Sequence, residues 1–79
     1  MTKLELLRRY AGLSQRELAR RIEVSSSLVT QVERLHRRPW PAFRLRVSEV
    51  LGVPEADLFG PDGWPLTVDV EHVLAVSSK

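Results

Sequence analysis

The chain has 79 residues, a formal net charge of +2 and no cysteine. A chain of this length makes one domain with one modest core and buries only roughly 60% of its unfolded surface, so a second subunit would add stability. The missing thiols exclude disulfides and thiolate metal sites and fit a reducing compartment. No apolar run reaches membrane-spanning length and the N-terminus lacks the apolar block of a signal peptide, so the expectation is a soluble, cytoplasmic protein without membrane contact.

Taken in order, Thr2 followed by Glu5 has the spacing of a capping box and starts a first helix. Leu4 and Leu7, with Tyr10 and Ala11, give that helix an inward face, Gly12 is a left-handed stop, and Leu13 anchors the connection in the core. Ser14 and Glu17 repeat the capping-box spacing, and Leu18, Ala19 and Ile22 form the apolar stripe of a second helix. After a tight turn, Ser25 caps a third helix whose inward positions are Leu28 or Val29, and Val32. Its outward positions, Ser26, Ser27, Thr30 and Gln31, are uncharged hydrogen-bonding groups. A merely solvated helix face more often carries Lys and Glu; this one suits a surface that reads donors and acceptors.

Pro39 and Pro41 flank Trp40, break any helix there and fix an extended approach to a fourth helix. That helix starts at Pro41, runs through Phe43, Val47, Val50 and Leu51, and stops at Gly52. Pro54 opens a short fifth helix with Ala56, Leu58 and Phe59. Gly60-Pro61-Asp62-Gly63 is a turn cluster expected to end the compact part, which divides the chain into residues 1–60 and a C-terminal extension, 61–79. In the extension Leu66, Val68 and Val70 alternate with polar residues as a strand would, while Val70, Val73, Leu74 and Ser77 fall at helical spacing behind Thr67. A short helix is favoured over a strand. Its apolar face either folds back on the domain or forms a dimer contact, and residues 64–79 are also the place where a protein partner would bind.

Charge is segregated. Residues 14–46 carry eight arginines against Glu17, Glu23 and Glu33, whereas residues 47–79 carry Lys79 alone against six acidic residues. The basic excess lies on and just after the second and third helices, where a polyanion would dock. Ten of the twelve basic residues are arginine, whose planar fork suits phosphate and guanine edges. An enzyme is not expected: His36 and His72 have no carboxylate or nucleophile at a useful spacing, and two histidines make no metal set, so no cofactor or metal is expected.

Four ordered blocks, residues 7–19, 24–33, 37–39 and 51–54, resemble the Cro and phage-repressor (xenobiotic-response-element) helix-turn-helix family over residues 3–59. The resemblance implies an all-α, five-helix lambda-repressor-like DNA-binding domain with its third helix in the major groove of double-stranded DNA. Carried over by position, Ser26, Ser27, Leu28 and Gln31 are the base contacts, and Gln15, Arg16, Ser25, Thr30, Arg34, Arg37 and Arg38 the backbone contacts. Arg8 and Glu33 match a structural ion pair tying the first helix to the third. Gln31, able to bond adenine in bidentate fashion, is the best single candidate for direct readout. Two positions depart from the family: Glu23 stands where the turn usually has glycine, and Trp40 replaces a small polar cap and reads as an apolar cover for its loop. The implied function is a sequence-specific transcription regulator of the compact Cro-like or repressor type, a homodimer on a two-fold operator. The alternative is an antitoxin or restriction-modification controller whose tail binds a protein.

Overall fold

The computed structural model describes residues 1–68 and contains five helices: α1 Lys3–Tyr10, α2 Gln15–Arg21, α3 Ser26–Glu33, α4 Pro41–Leu51 and α5 Glu55–Leu58. The helical reading of the extension, from residue 69 on, lies outside the described residues. Among the described residues there is no sheet, only two isolated antiparallel bridges, Thr2 with Thr67 and Phe59 with Pro65.

The helices start where short polar side chains satisfy the first free amides. At α2 the capping box is complete: Ser14 Oγ accepts from the Glu17 amide at 3.0 Å, and Glu17 Oε1 accepts from the Ser14 amide at 3.3 Å. At α1 only half of the expected box forms. Thr2 Oγ1 accepts from the Glu5 amide at 3.1 Å, but the Glu5 carboxylate lies 3.4 Å from Arg9 Nη2, one turn further along. Ser25 caps α3 through the Leu28 amide at 3.4 Å. Trp40 precedes α4 without a side-chain cap, and Pro41 takes the first position, where its missing N–H costs nothing.

The ends of α1 to α4 share one device. Gly12, Glu23, Leu35 and Gly52 all have positive φ, at 77°, 61°, 62° and 68°. After α2, the amides of Glu23 and Val24 donate back to Arg20 O at 3.3 Å and Ala19 O at 2.9 Å. After α3, those of Leu35 and His36 donate to Val32 O at 3.1 Å and Gln31 O at 2.8 Å. Each is a Schellman closure, which satisfies two orphan carbonyls by turning one residue left-handed. Two of the four residues that turn are not glycine.

The core is formed by Leu4, Leu18, Ala19, Ile22, Val29, Val32, Phe43, Val47, Leu58 and Phe59. Three sequence expectations need correction. Tyr10 is 90% exposed and Ala11 is exposed, because α1 ends there and none of the described residues covers them. Phe59, expected within the fifth helix, lies just past its end in extended backbone at φ −130° and ψ 144°. The Gly60–Gly63 turn does not end the compact part. It reverses the chain so that Leu66 N donates to Leu58 O at 2.9 Å, Lys3 N to Leu66 O at 2.8 Å and Val68 N to Met1 O at 2.8 Å. Residues 65–68 are thus extended and clasp the start of α1, closing over Leu58 and Phe59. Gly63 (φ 83°) allows the reversal, and a Cβ there would stand 2.8 Å from Arg44 Nη1.

Candidate nucleic-acid interface

Helices α2 and α3 pack through Leu18, Ala19 and Ile22 on one side and Val29 and Val32 on the other. The turn between them, Ile22 to Ser25, depends on the left-handed Glu23. Arg46 of α4 braces it, donating from Nη1 to Ile22 O at 3.1 Å and lying 3.6 Å from the Glu23 carboxylate. Burial of Val29 and Val32 fixes the rotation of α3. With that face inward, Ser27 and Gln31 are exposed and Ser26 and Leu28 half-buried at the surface. Ser25 Oγ lies 3.3 Å from Ser27 Oγ, so the first two exposed hydroxyls are already coupled to each other and to the cap.

Below this face lies a hydrogen-bonded chain of side chains. Arg8 donates from Nε to Glu33 Oε2 at 2.6 Å, from Nη2 to Glu33 Oε1 at 3.1 Å and from Nη1 to Leu13 O at 2.8 Å. The two side chains are 7% and 2% exposed. This bidentate pair joins α1 to the C-terminal turn of α3. Gln15 extends it: Nε2 donates to Glu33 Oε1 at 2.9 Å, and Oε1 accepts the Thr30 hydroxyl at 2.8 Å. Thr30 Oγ1 also lies 3.1 Å from Ser26 O. The network therefore ties three helices together, and no buried side-chain polar atom among the described residues lacks a partner. Sequence reasoning missed the bonds from Gln15 to Glu33 and Thr30, since nothing in either segment signals a partner fifteen to eighteen residues away.

The eight arginines of residues 14–46 divide into two groups. Arg44 and Arg46 serve the fold: Arg44 Nη1 donates to Pro39 O at 2.8 Å, its Nε lies 3.8 Å from Glu55, and Arg46 braces the α2–α3 turn. Arg16, Arg20, Arg21, Arg34, Arg37 and Arg38 are exposed, and no carboxylate among the described residues lies within 4.0 Å of them. Arg16, Arg20 and Arg21 belong to α2, Arg34 follows α3 directly, and Arg37 and Arg38 lie in the loop before α4. In that loop the Arg37 guanidinium sits 5.7 Å from the centre of the Trp40 ring, and Trp40 packs edge-on against Phe43 at 5.4 Å. Trp40 thus covers the loop, as expected. Leu35, 43% exposed and left-handed, lies between these arginines and went unread in the sequence because no glycine marks the turn.

One carboxyl near the face has a displaced pKa. Glu17 is held below its ordinary value first by the Ser14 amide, then by the Ser14 hydroxyl, with Arg20 and Arg21 adding to this against partial desolvation. Among the described residues there is no cluster of three or more potential metal ligands, and no helix long and apolar enough to cross a membrane.

Five short helices, the second and third at a braced turn and the third with an uncharged polar face in an arginine-rich stretch, define a small all-α DNA-binding fold. A family model described as a helix-turn-helix domain matches residues 2–58, and the chain belongs to that family. No curated protein matches it.

Proposed function

We propose that the chain is a sequence-specific transcription regulator that binds a two-fold operator as a homodimer, at the nucleoid of a prokaryotic cell or phage-infected host. The observation that carries this reading is the face of α3, with exposed Ser27 and Gln31 and half-exposed Ser26 and Leu28, on a helix held by a buried ion pair in a stretch, residues 16–38, that also carries six exposed arginines. A helix of this size fits the major groove, where donors and acceptors differ for each base pair. Ser26, Ser27, Leu28 and Gln31 would meet base edges. Gln15, Ser25, Arg16, Arg34, Arg37 and Arg38 would meet the phosphates, which carry much of the affinity and make it salt-dependent. Serine hydroxyls both donate and accept and so discriminate poorly, which leaves Gln31 as the main direct reader and gives DNA shape a share of the specificity.

The test is selection of bound duplexes from a random pool at two salt concentrations. Enrichment of an inverted repeat with half-site centres about one turn (~34 Å) apart supports the dimeric regulator. Gln31→Ala should then relax preference at one base position, while Arg37→Ala weakens every sequence and lowers the salt slope by about one. Binding without enrichment that vanishes at the higher salt would overturn the base-reading assignment.

A further inference from the structure

Gln15 and Thr30 look alike in sequence as polar groups beside the recognition helix, but the structure separates their roles. Gln15 opens α2, is half-buried, and has both ends of its amide engaged. Its orientation follows from chemistry: turned over, Oε1 would face Glu33 Oε1, acceptor against acceptor, in place of the 2.9 Å bond from Nε2. Nε2 has two hydrogens, and one goes to Glu33, so one is left for an outside acceptor. Thr30 has a single hydroxyl hydrogen, which lies between Gln15 Oε1 at 2.8 Å and Ser26 O at 3.1 Å. Phosphate oxygens only accept. Thr30 therefore has no hydrogen for a phosphate unless it releases both of these acceptors.

We propose, resting on the DNA-binding reading above, that Thr30 is a positioning residue. Its hydroxyl and the Glu33 carboxylate clamp the Gln15 amide so that the remaining Nε2 hydrogen meets a DNA phosphate when α3 enters the groove. The ion pair that holds α1 to α3 thereby also aims a backbone contact on α2, through a chain running Arg8, Glu33, Gln15, Thr30.

A phosphate contact is sequence-independent, so a mixed-sequence duplex at low salt is a sufficient probe. Affinity is measured by fluorescence anisotropy for Thr30→Val, Thr30→Ser, Gln15→Ala and the Gln15→Ala/Thr30→Val double variant, each with its own thermal melt. Thr30→Ala repeats the hydroxyl deletion without an added methyl. Deleting the hydroxyl should lower affinity about threefold to tenfold, and Thr30→Ser should restore it. The double variant should bind like Gln15→Ala alone, with the salt slope unchanged throughout because no charge is removed. A double-variant loss equal to the product of the two single losses would mean that Thr30 touches DNA independently and would overturn the proposal. So would hydroxyl deletion that leaves affinity at the parent value. The clamp itself is read without DNA, from the Gln15 side-chain amide by NMR. Two separated Nε2 proton signals in the parent should move in Thr30→Val, and signals that do not respond refute the clamp alone. A responsive clamp in a parent chain that binds no duplex refutes the DNA-binding reading and the phosphate contact with it.

Discussion

Glu33→Ala should unfold this domain well below the parent's melting temperature. The carboxylate accepts three hydrogen bonds, from Arg8 Nε at 2.6 Å, Arg8 Nη2 at 3.1 Å and Gln15 Nε2 at 2.9 Å, and it is only 2% exposed. Its removal leaves the buried Arg8 guanidinium with the Leu13 carbonyl alone. Truncating one member of a buried ion pair costs about 3–5 kcal/mol, mostly because the surviving charge is stranded away from water. A domain of this size has a total stability of about 4–12 kcal/mol, so the loss is a quarter of it or more. At about 4–8 °C per kcal/mol, the melting temperature should fall by at least about 12 °C. Arg8→Met combined with Glu33→Leu removes both charges and should recover much of the loss. Recovery should fall short of complete, since Gln15 Nε2 still lacks its acceptor, a cost of about 1–3 kcal/mol. Thermal melts by circular dichroism and urea titrations decide the matter. A single variant that melts within about 4 °C of the parent, or a double variant no better than the single, refutes the reasoning.

Glu23→Gly should stabilise the protein by about 0.5–1 kcal/mol, because the left-handed backbone costs a side-chain-bearing residue more than it costs glycine. The lost contact to Arg46 joins side chains 79% and 50% exposed and contributes little, so a lower melting temperature would count against this reading. The Glu17 carboxyl should titrate below an ordinary glutamate in a carbon-detected NMR series. Since its folded-state pKa is depressed, the stability it lends α2 is complete above the unfolded value and is lost as pH falls through the folded one; a midpoint at or above the ordinary value would contradict the capping box. Ending the chain after Gly60 should cost about 3 kcal/mol, for three backbone hydrogen bonds to residues 1–3 and 58, whereas ending it after Val68 keeps them. Equal urea midpoints for the two truncations would show that the clasp contributes nothing.

The parts of this fold legible in the sequence are those decided within one helical turn. Ser14 with Glu17, Ser25, Pro41 and Gly52 mark helix ends by local chemistry, and all four marks stand in the structure. Periodicity told which residues share a face but not whether anything packs on it, which is why Tyr10 was read inward and lies in solvent. Leu35 has the same left-handed backbone as Gly12 without its signature residue, so its turn was invisible. For Leu66, Thr67 and Val68, alternation signalled extended backbone but not its partner, which lies near the other end of the described chain; the helical spacing of Val70, Val73, Leu74 and Ser77 falls outside the described residues. At the candidate interface the exposed polar face of α3 followed from spacing alone. The engagement of Gln15, Thr30, Arg44 and Arg46 did not, because a side chain's partner across the fold leaves no trace in its neighbours.

The clasp between residues 1–3 and 66–68 also sets an order of events. The loops between consecutive helices are short, whereas the clasp lies at the far end of the longest closure, over the α1–α5 packing on which it rests, and adds only a few hydrogen bonds to it. Local contacts form first and the clasp last, and by the same balance it is the first to open under native conditions. The amides of Lys3 and Val68 should therefore exchange with deuterium well before those of Val29 and Val32. A breathing motion at this seam would expose Leu58 and Phe59 while leaving the α2–α3 unit intact.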